Sequence, residues 1–224
     1  MGKVRVIEIH EDVMSDNNKE ALEVRDTLDK KGTFLLNVMS SPGSGKTTAL
    51  SAVINLIKDK LKVALMDVDI ESSLDADKVS DLTGVPSIQI HNGGLCHIDA
   101  SMTKRAIAEF DAKDVDLLIL ENIGNLVCPA EFDTGAHKNI MIFSVPEGDD
   151  KPLKYPLMFS VCDVVLISKM DTVDFFDFDM EKAKSNIRGI NKDAIILPIS
   201  AKTGEGMDEF AAWILDSVNE HKRK

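Results

Sequence analysis

The sequence predicts an α/β fold: one doubly wound, mostly parallel sheet of about seven strands with helices on both faces. Three observations lead there. Near-continuous runs of Val, Ile and Leu alternate with amphipathic stretches along the 224 residues, the pattern of parallel strands covered on both sides. The glycine-rich segment SSPGSGKTT (40–48) sits between an apolar run and a helical period. Three further polar loops each follow a predicted strand, and ligands of open α/β sheets bind beyond the carboxyl ends of the strands.

Taken in order, the strands are FLLNVM (34–39), KVALMDV (62–68), SIQIH (87–91), VDLLILE (115–121), NIMIFSV (139–145), DVVLIS (163–168) and AIILPIS (194–200). The opening KVRVIEI offers a further edge strand. Asn17 with Glu20 three residues on has the form of a helix-capping pair, and Ala21, Val24 and Leu28 then recur at helical spacing up to a stop at Gly32. Leu50, Val53, Ile54, Ile57 and Leu61 follow the 3.6 period after Thr47. The last helix starts near Met207 and presents Phe210, Ile214 and Val218 on one face. No linker or repeat divides the chain, so residues 1–224 read as a single domain with an N-terminal helical extension over about 1–32.

Composition narrows the partners. Thirty-eight acidic against 26 basic residues give a net charge of −12, a field that repels a nucleic-acid backbone. No apolar run reaches the roughly 18–20 residues of a membrane span, and the start lacks a signal-peptide core. Three cysteines cannot all pair internally, which fits a reduced, cytoplasmic chain.

SSPGSGKTT follows the first strand and leads directly into a helix. In that setting the amides of Gly43, Ser44, Gly45, Lys46, Thr47 and Thr48 can wrap a phosphate while the helix dipole favours its charge. Lys46 then reaches the β- and γ-phosphates and Thr47 offers its hydroxyl to Mg²⁺. Ser40 stands where the strict pattern has glycine. Glu121 ends a hydrophobic strand and Gly124 follows three residues later: the carboxylate suits Mg²⁺ and the glycine N–H a γ-phosphate. This is the P-loop GTPase arrangement. Where Ras-like enzymes carry a water-positioning Gln, this chain has Asn125, which is shorter. Hydrolysis is then slow, or another residue holds the water. Asp69 and Asp75, in DVDIESSLDAD (67–77), are the candidates for that and for magnesium; a solvated acidic loop is the alternative.

Guanine selection requires a carboxylate that accepts from N1–H and the exocyclic amine together. Asp171 of SKMD (168–171) fits, with the Lys169 stem against the ring, although Ser168 replaces the usual Asn or Thr. Ser200, Ala201 and Lys202 resemble the loop that donates an N–H to guanine O6. Motifs in this order at strand ends favour GTP over ATP. Cys162, at the start of an apolar strand, reads as a buried thiol. Cys96 and His97 lie on a glycine-rich loop, and Cys128 follows Gly124 by four residues. Two Cys and one His suit Ni²⁺ or Zn²⁺, but their separation matches no recognised metal spacing, so incidental thiols remain an alternative.

SSPGSGKTT, GGLCHIDA, ENIGNLVCPAEFDTG, SVPEGDDKPLKYP, SKMD and SAKTGEGM together closely resemble the HypB family of nickel-incorporation GTPases in [NiFe]-hydrogenase maturation, over about residues 30–215. The resemblance implies a SIMIBI-class GTPase that dimerises on GTP and handles nickel with a HypA-type chaperone for the hydrogenase large subunit. It also implies that Cys96, His97 and Cys128 form a metal site near the dimer contact. Some members add an N-terminal Cys motif or His-rich run; here the first 40 residues hold only His10 and no cysteine. The rivals are a urease accessory GTPase, expected to carry Cys-Pro-His where this chain has Cys128-Pro129-Ala130, a P-loop small-molecule kinase with structural thiols, and a non-catalytic GTP-gated module.

Overall fold

A strand covered on both faces has no solvent side, and β1 (Phe34–Ser40) meets that demand with all seven residues buried. The computed structural model describes residues 9–69, 74–110 and 114–223, with the backbone alone at 9–13, 69 and 74–78. Around β1 lie β2 (Val63–Asp69), β3 (Ser87–His91), β4 (Leu117–Gly124), β5 (Lys138–Ser144), β6 (Val164–Ser168) and β7 (Ile195–Pro198). Their spatial order is β3-β2-β4-β1-β5-β6-β7. Among the described residues every pairing is parallel, so the sheet is fully rather than mostly parallel. The seven strands predicted between residues 34 and 200 are all present; the clearest difference is β4, which runs on past Glu121 to Gly124.

The helices are α1 (Ile9–Lys31), α2 (Lys46–Ile57), α3 (Leu74–Thr83), α4 (Ala100–Glu109), α5 (Cys128–Glu131), α6 (Lys151–Lys154), α7 (Pro156–Ser160), α8 (Met180–Ile190) and α9 (Met207–Lys222). Side chains alternate across β1. Phe34, Leu36 and Val38 pack with Leu50 and Ile54 of α2 and Phe210 and Ile214 of α9. Leu35 turns the other way, onto Val24 and Leu28 of α1. Met39 joins Phe159 and Ile187 of α7 and α8. Each such fully buried side chain contributes about 1.5–3 kcal/mol. Among the described residues no helix is long and apolar enough to cross a membrane.

Polar side chains also run through the sheet. Asn122 Nδ2 donates to Asn37 Oδ1 at 3.0 Å, and Asn37 Nδ2 donates to Asn139 Oδ1 at 2.9 Å. This ladder crosses β4, β1 and β5. Slipping any of these strands by one residue would strand a buried amide, so the ladder pins register.

Two expectations concern the N-terminus. The edge strand KVRVIEI falls on residues 3–9, of which 3–8 lie outside the described residues and Ile9 already belongs to α1. Asn17 is not a cap: α1 continues through it, and its side chain is 6% exposed. The capping pattern was local, whereas Asn17 bonds to distant loops. The stop at Gly32 holds, with φ at 65° and its N–H on Asp29 O.

Candidate functional site

The phosphate loop turns on two glycines in the left-handed region, Gly43 (φ 73°) and Gly45 (φ 93°), conformations that cost a side-chain-bearing residue energy. Gly45 caps α2, whose first turn has no acidic residue and no side-chain cap. The amides and positive dipole end of α2 therefore point into the cleft without a built-in anion. Residues 40–48 line that cleft with Asp67, Val68, Ile123, Gly124 and Lys169.

Lys46 lies across the cleft floor. Its Nζ donates to Asn122 O at 2.6 Å and stands 3.5 Å from Glu121 Oε1. Thr47 Oγ1 donates to the same carboxylate oxygen at 2.9 Å. Lysine, hydroxyl and a Glu121 side chain only 1% exposed thus converge at the carboxyl ends of β1 and β4. A buried carboxylate 2.9 Å from a hydroxyl is also a hard oxygen donor set of the kind Mg²⁺ takes. Gly124 packs against the loop, where a Cβ would stand 3.2 Å from Pro42 Cγ and Pro42 N. Asp69 closes β2 and Asp75 lies in α3; their side chains fall outside the described ones. Their neighbour Asp67 lines the cleft, 3% exposed and in register with Glu121. Strand parity could have found it, since Asp67 and Asp69 share a face of β2.

Glu147 was also missed. Its Oε1 accepts from Ser41 Oγ at the loop entrance and lies 3.1 Å from Lys151 Nζ. Its Oε2 accepts from Ser144 N at 2.8 Å and Ser144 Oγ at 2.9 Å. Ser41, 106 residues away, is invisible to local pattern.

The two base loops meet. Ser200 Oγ donates to Asp171 Oδ1 at 2.7 Å, and Lys202 Nζ stands 3.6 Å from Asp171 Oδ2. The Ser200 hydroxyl, with Lys202 beyond it, holds the Asp171 carboxyl below the usual carboxylate range. Ala201 lies between them in sequence, partly exposed. Lys169, at φ 61°, sends Nζ to Gly43 O at 2.7 Å, tying base loop to phosphate loop. Ser168 is buried and donates to Ser44 O at 2.6 Å. The short hydroxyl thus holds the P-loop from below.

The metal candidates are gathered only in part. Cys96 and Cys128 are free cysteines with Sγ atoms 2.8 Å apart, and the hydrogen bond that Cys96 Sγ donates to Cys128 Sγ pushes the Cys96 thiol up. Asn92 Nδ2 closes the intervening loop on Leu95 O and His97 O, each at 2.8 Å. His97 Nδ1 lies 3.8 Å from Cys96 Sγ, but its ring is stacked on Phe132, centroids 3.8 Å apart and planes 8° from parallel. Cys96, His97 and Cys128 are not among the described groups whose donor atoms all fall within 4.8 Å. Cys162 is buried, as expected, donating to Met158 O at 2.9 Å, and burial pushes its thiol well up.

The group that does meet that distance is elsewhere: Asp29, His137 and His221. Its chemistry is structural. Leu35 N–H donates to His137 Nδ1 at 2.8 Å, so the proton of a neutral ring sits on Nε2 and points to Asp29 Oδ1, 3.0 Å away. A metal would have to displace that proton and the strand N–H together.

A glycine loop at the mouth of the central strand of this fully parallel sheet is the architecture of P-loop nucleotide-binding proteins with the GTPase fold, and the chain is one of them. Residues 34–198 match the family model "CobW/HypB/UreG, nucleotide-binding domain". A hydrogenase maturation factor HypB of Azotobacter chroococcum mcd 1 is 42% identical over 214 residues, spanning 96% of this chain and 70% of that protein. The crystal structure of HypB from Helicobacter pylori in complex with nickel superposes with a TM-score of 0.85 at 38% identity, covering 92% of this chain and 97% of that one. HypB from Archaeoglobus fulgidus gives 0.84 at 34% identity, covering 91% and 99%. The chain belongs to the HypB family.

Proposed function

We propose that this chain is a GTP-hydrolysing metallochaperone that inserts nickel during [NiFe]-hydrogenase maturation, its GTP state coupled to dimerisation and metal binding. The observation that carries the reading is the thiol pair: Cys96 and Cys128 are 2.8 Å apart, and Cys128 lies four residues beyond Gly124. Family membership supports it, as does the relative whose structure is described in complex with nickel.

In this reading the amides of residues 43–48 enclose the phosphates, and Lys46 leaves Asn122 O for the β- and γ-phosphates. Magnesium neutralises phosphate charge when bound with the nucleotide; Thr47 and Glu121 would hold it, joined by Asp75. Asp69 and Asp75 are the proposed water-positioning carboxylates. Asp171 accepts from guanine N1–H and the amine, Ala201 donates its N–H to O6, the Lys169 stem covers the ring, and Ser200 and Lys202 keep Asp171 ionised. Asn125 cannot take the water-placing role where it stands, because its amide is engaged with Cys96 O at 3.2 Å. Intrinsic hydrolysis is accordingly slow.

Gly124 donates its N–H to the γ-phosphate, and its movement carries Cys128. The two thiols bind Ni²⁺ or Zn²⁺ as thiolates and release their protons on binding. His97 joins by leaving Phe132, and three ligands leave an open position for a second copy of this chain or for transfer. The proposed partners are therefore a GTP-promoted homodimer, a HypA-type nickel chaperone and the hydrogenase large subunit. The domain is a single G domain with α1 as its N-terminal extension.

The test is Ni²⁺ affinity measured with GDP and with a non-hydrolysable GTP analogue, in the wild type and in Cys128→Ala. Different affinities in the two nucleotide states, abolished by the substitution, are expected. Equal affinities in the wild type would sink the coupling, because linkage demands that nucleotide and metal alter one another by the same factor.

A further inference from the structure

Asparagine is a locally unfavourable choice inside a helix, yet Asn17 sits inside α1 and is 6% exposed. Both ends of its carboxamide are used, by two different loops. Asn17 Oδ1 accepts from Ala100 N at 2.9 Å, and Asn17 Nδ2 donates to Asp133 O at 3.0 Å. Ala100 is four residues beyond Cys96 and three beyond His97, and Asp133 is five beyond Cys128. The two thiol-bearing segments, 32 residues apart in sequence, are thus also joined through α1, in addition to the bond from Asn125 to Cys96 O. A planar carboxamide has no torsion between its two polar atoms, so it holds the two anchor points at a set separation.

The rest of α1 fixes this strut to one loop. Two turns along the helix, Arg25 Nη2 donates to both carboxylate oxygens of Asp133 at 2.6 and 2.8 Å, and Arg25 Nε donates to Ala136 O at 3.1 Å. Gly135 is pressed against the helix at φ 81°; a Cβ there would fall 2.6 Å from Val24 Cβ. Breaking the Asn17 bonds would leave a buried amide and a helix-start N–H unpaired and free one loop to move against the other.

We infer that Asn17 is a positioning residue for the thiol pair: it sets the spacing of Cys96 against Cys128, and so tunes the affinity of that pair for a soft divalent cation. The cation part rests on the nickel reading above; the spacing part does not. Ligand-orienting groups outside the coordination sphere typically change metal affinity by roughly 10–100-fold.

The experiment uses the full chain with two readouts. In glutathione redox buffers the two thiols lose two protons and two electrons to oxidised glutathione, giving an intramolecular disulfide and two glutathione thiols. That equilibrium, read by alkylation and mass, reports the effective concentration of one thiol at the other and needs no metal. Cobalt(II) is the second probe, read by its thiolate charge-transfer band and affinity. Asn17→Ala is expected to lower the effective concentration by about tenfold or more and to shift the band, while affinity for a fluorescent GDP analogue stays unchanged. A strut that merely stabilised the fold would lower Tm and leave the native thiol equilibrium alone, so an unchanged equilibrium overturns the inference. Should Asn17→Ala fail to fold, Asn17→Asp keeps the Ala100 bond and tests the Asp133 half alone against the same criterion. Absence of a thiolate band in the wild type would count against the metal reading, and the disulfide equilibrium would still decide Asn17.

Discussion

Asn125 donates its side-chain amide to the Cys96 carbonyl at 3.2 Å, joining the loop after Gly124 to the loop that carries the first thiol. Its Oδ1 accepts from Val127 N at 2.9 Å, which fixes the orientation of the amide. One residue therefore spans the proposed phosphate sensor and the proposed metal ligands. Asn125→Ala is expected to keep GTP-analogue affinity and to bring the ratio of Ni²⁺ affinities in the two nucleotide states toward one. Loss of a single partly exposed hydrogen bond allows a two- to tenfold change, about 0.5–1.5 kcal/mol. Metal titrations in both states check it; an unaltered ratio removes Asn125 from the coupling.

A methyl group at Gly124 would be tight. Its Cβ would stand 3.2 Å from Pro42 N and 3.3 Å from Pro42 Cα, backbone atoms that cannot rotate away. Gly124→Ala should push the phosphate loop outward at a cost of about 1–3 kcal/mol, lowering nucleotide affinity roughly 5- to 150-fold. Fluorescent-nucleotide titration checks this, with circular dichroism confirming that the sheet persists.

Asp171 is held ionised by the Ser200 hydroxyl and Lys202, so its carboxylate accepts. Asp171→Asn puts a donor where guanine also donates, and GTP binding should fall by roughly two orders of magnitude or more. Xanthine carries an oxygen in place of that amine, so XTP should gain. Equal losses for GTP and XTP would place Asp171 outside the base site.

His137 couples stability to pH. Burial, more than the nearby His221 and Arg25 charges, lowers its pKa against the opposing pull of Asp29. A protonated ring would also carry a hydrogen on Nδ1, where it now accepts from Leu35 N. With the folded value below the unfolded one of about 6.5, the unfolded state binds more protons between the two. Stability is thus complete above about pH 6.5 and falls as pH drops through the folded value. Thermal unfolding from pH 7.5 to 5 should show this loss, and His137→Gln should flatten it while lowering Tm at neutral pH.

The strands and the phosphate loop were legible because their signals are local. Seven apolar runs became seven strands, and the segment 40–48 joins the end of β1 to the start of α2 as its neighbours in sequence require. Ser200 and Asp171 could be paired in advance only as members of two loops at strand ends; their 2.7 Å contact follows from β6 and β7 being adjacent. Glu147 gave no local sign of its grip on Ser41. Asn17 gave a misleading one, since its spacing to Glu20 imitates a cap while its partners lie 83 and 116 residues away.

By itself, then, the sequence determined the layered sheet, the phosphate loop and the identity of the three candidate metal ligands. Periodicity, glycine placement and donor chemistry are properties of short segments. Tertiary structure alone decided that β4 inserts between β2 and β1, which brings the Cys128 segment beside the loop that leaves β3. It also decided that Cys96 meets Cys128 while His97 rests on Phe132. These are distances between segments, set by the packing of α1 and the sheet order, and no period in the chain encodes them.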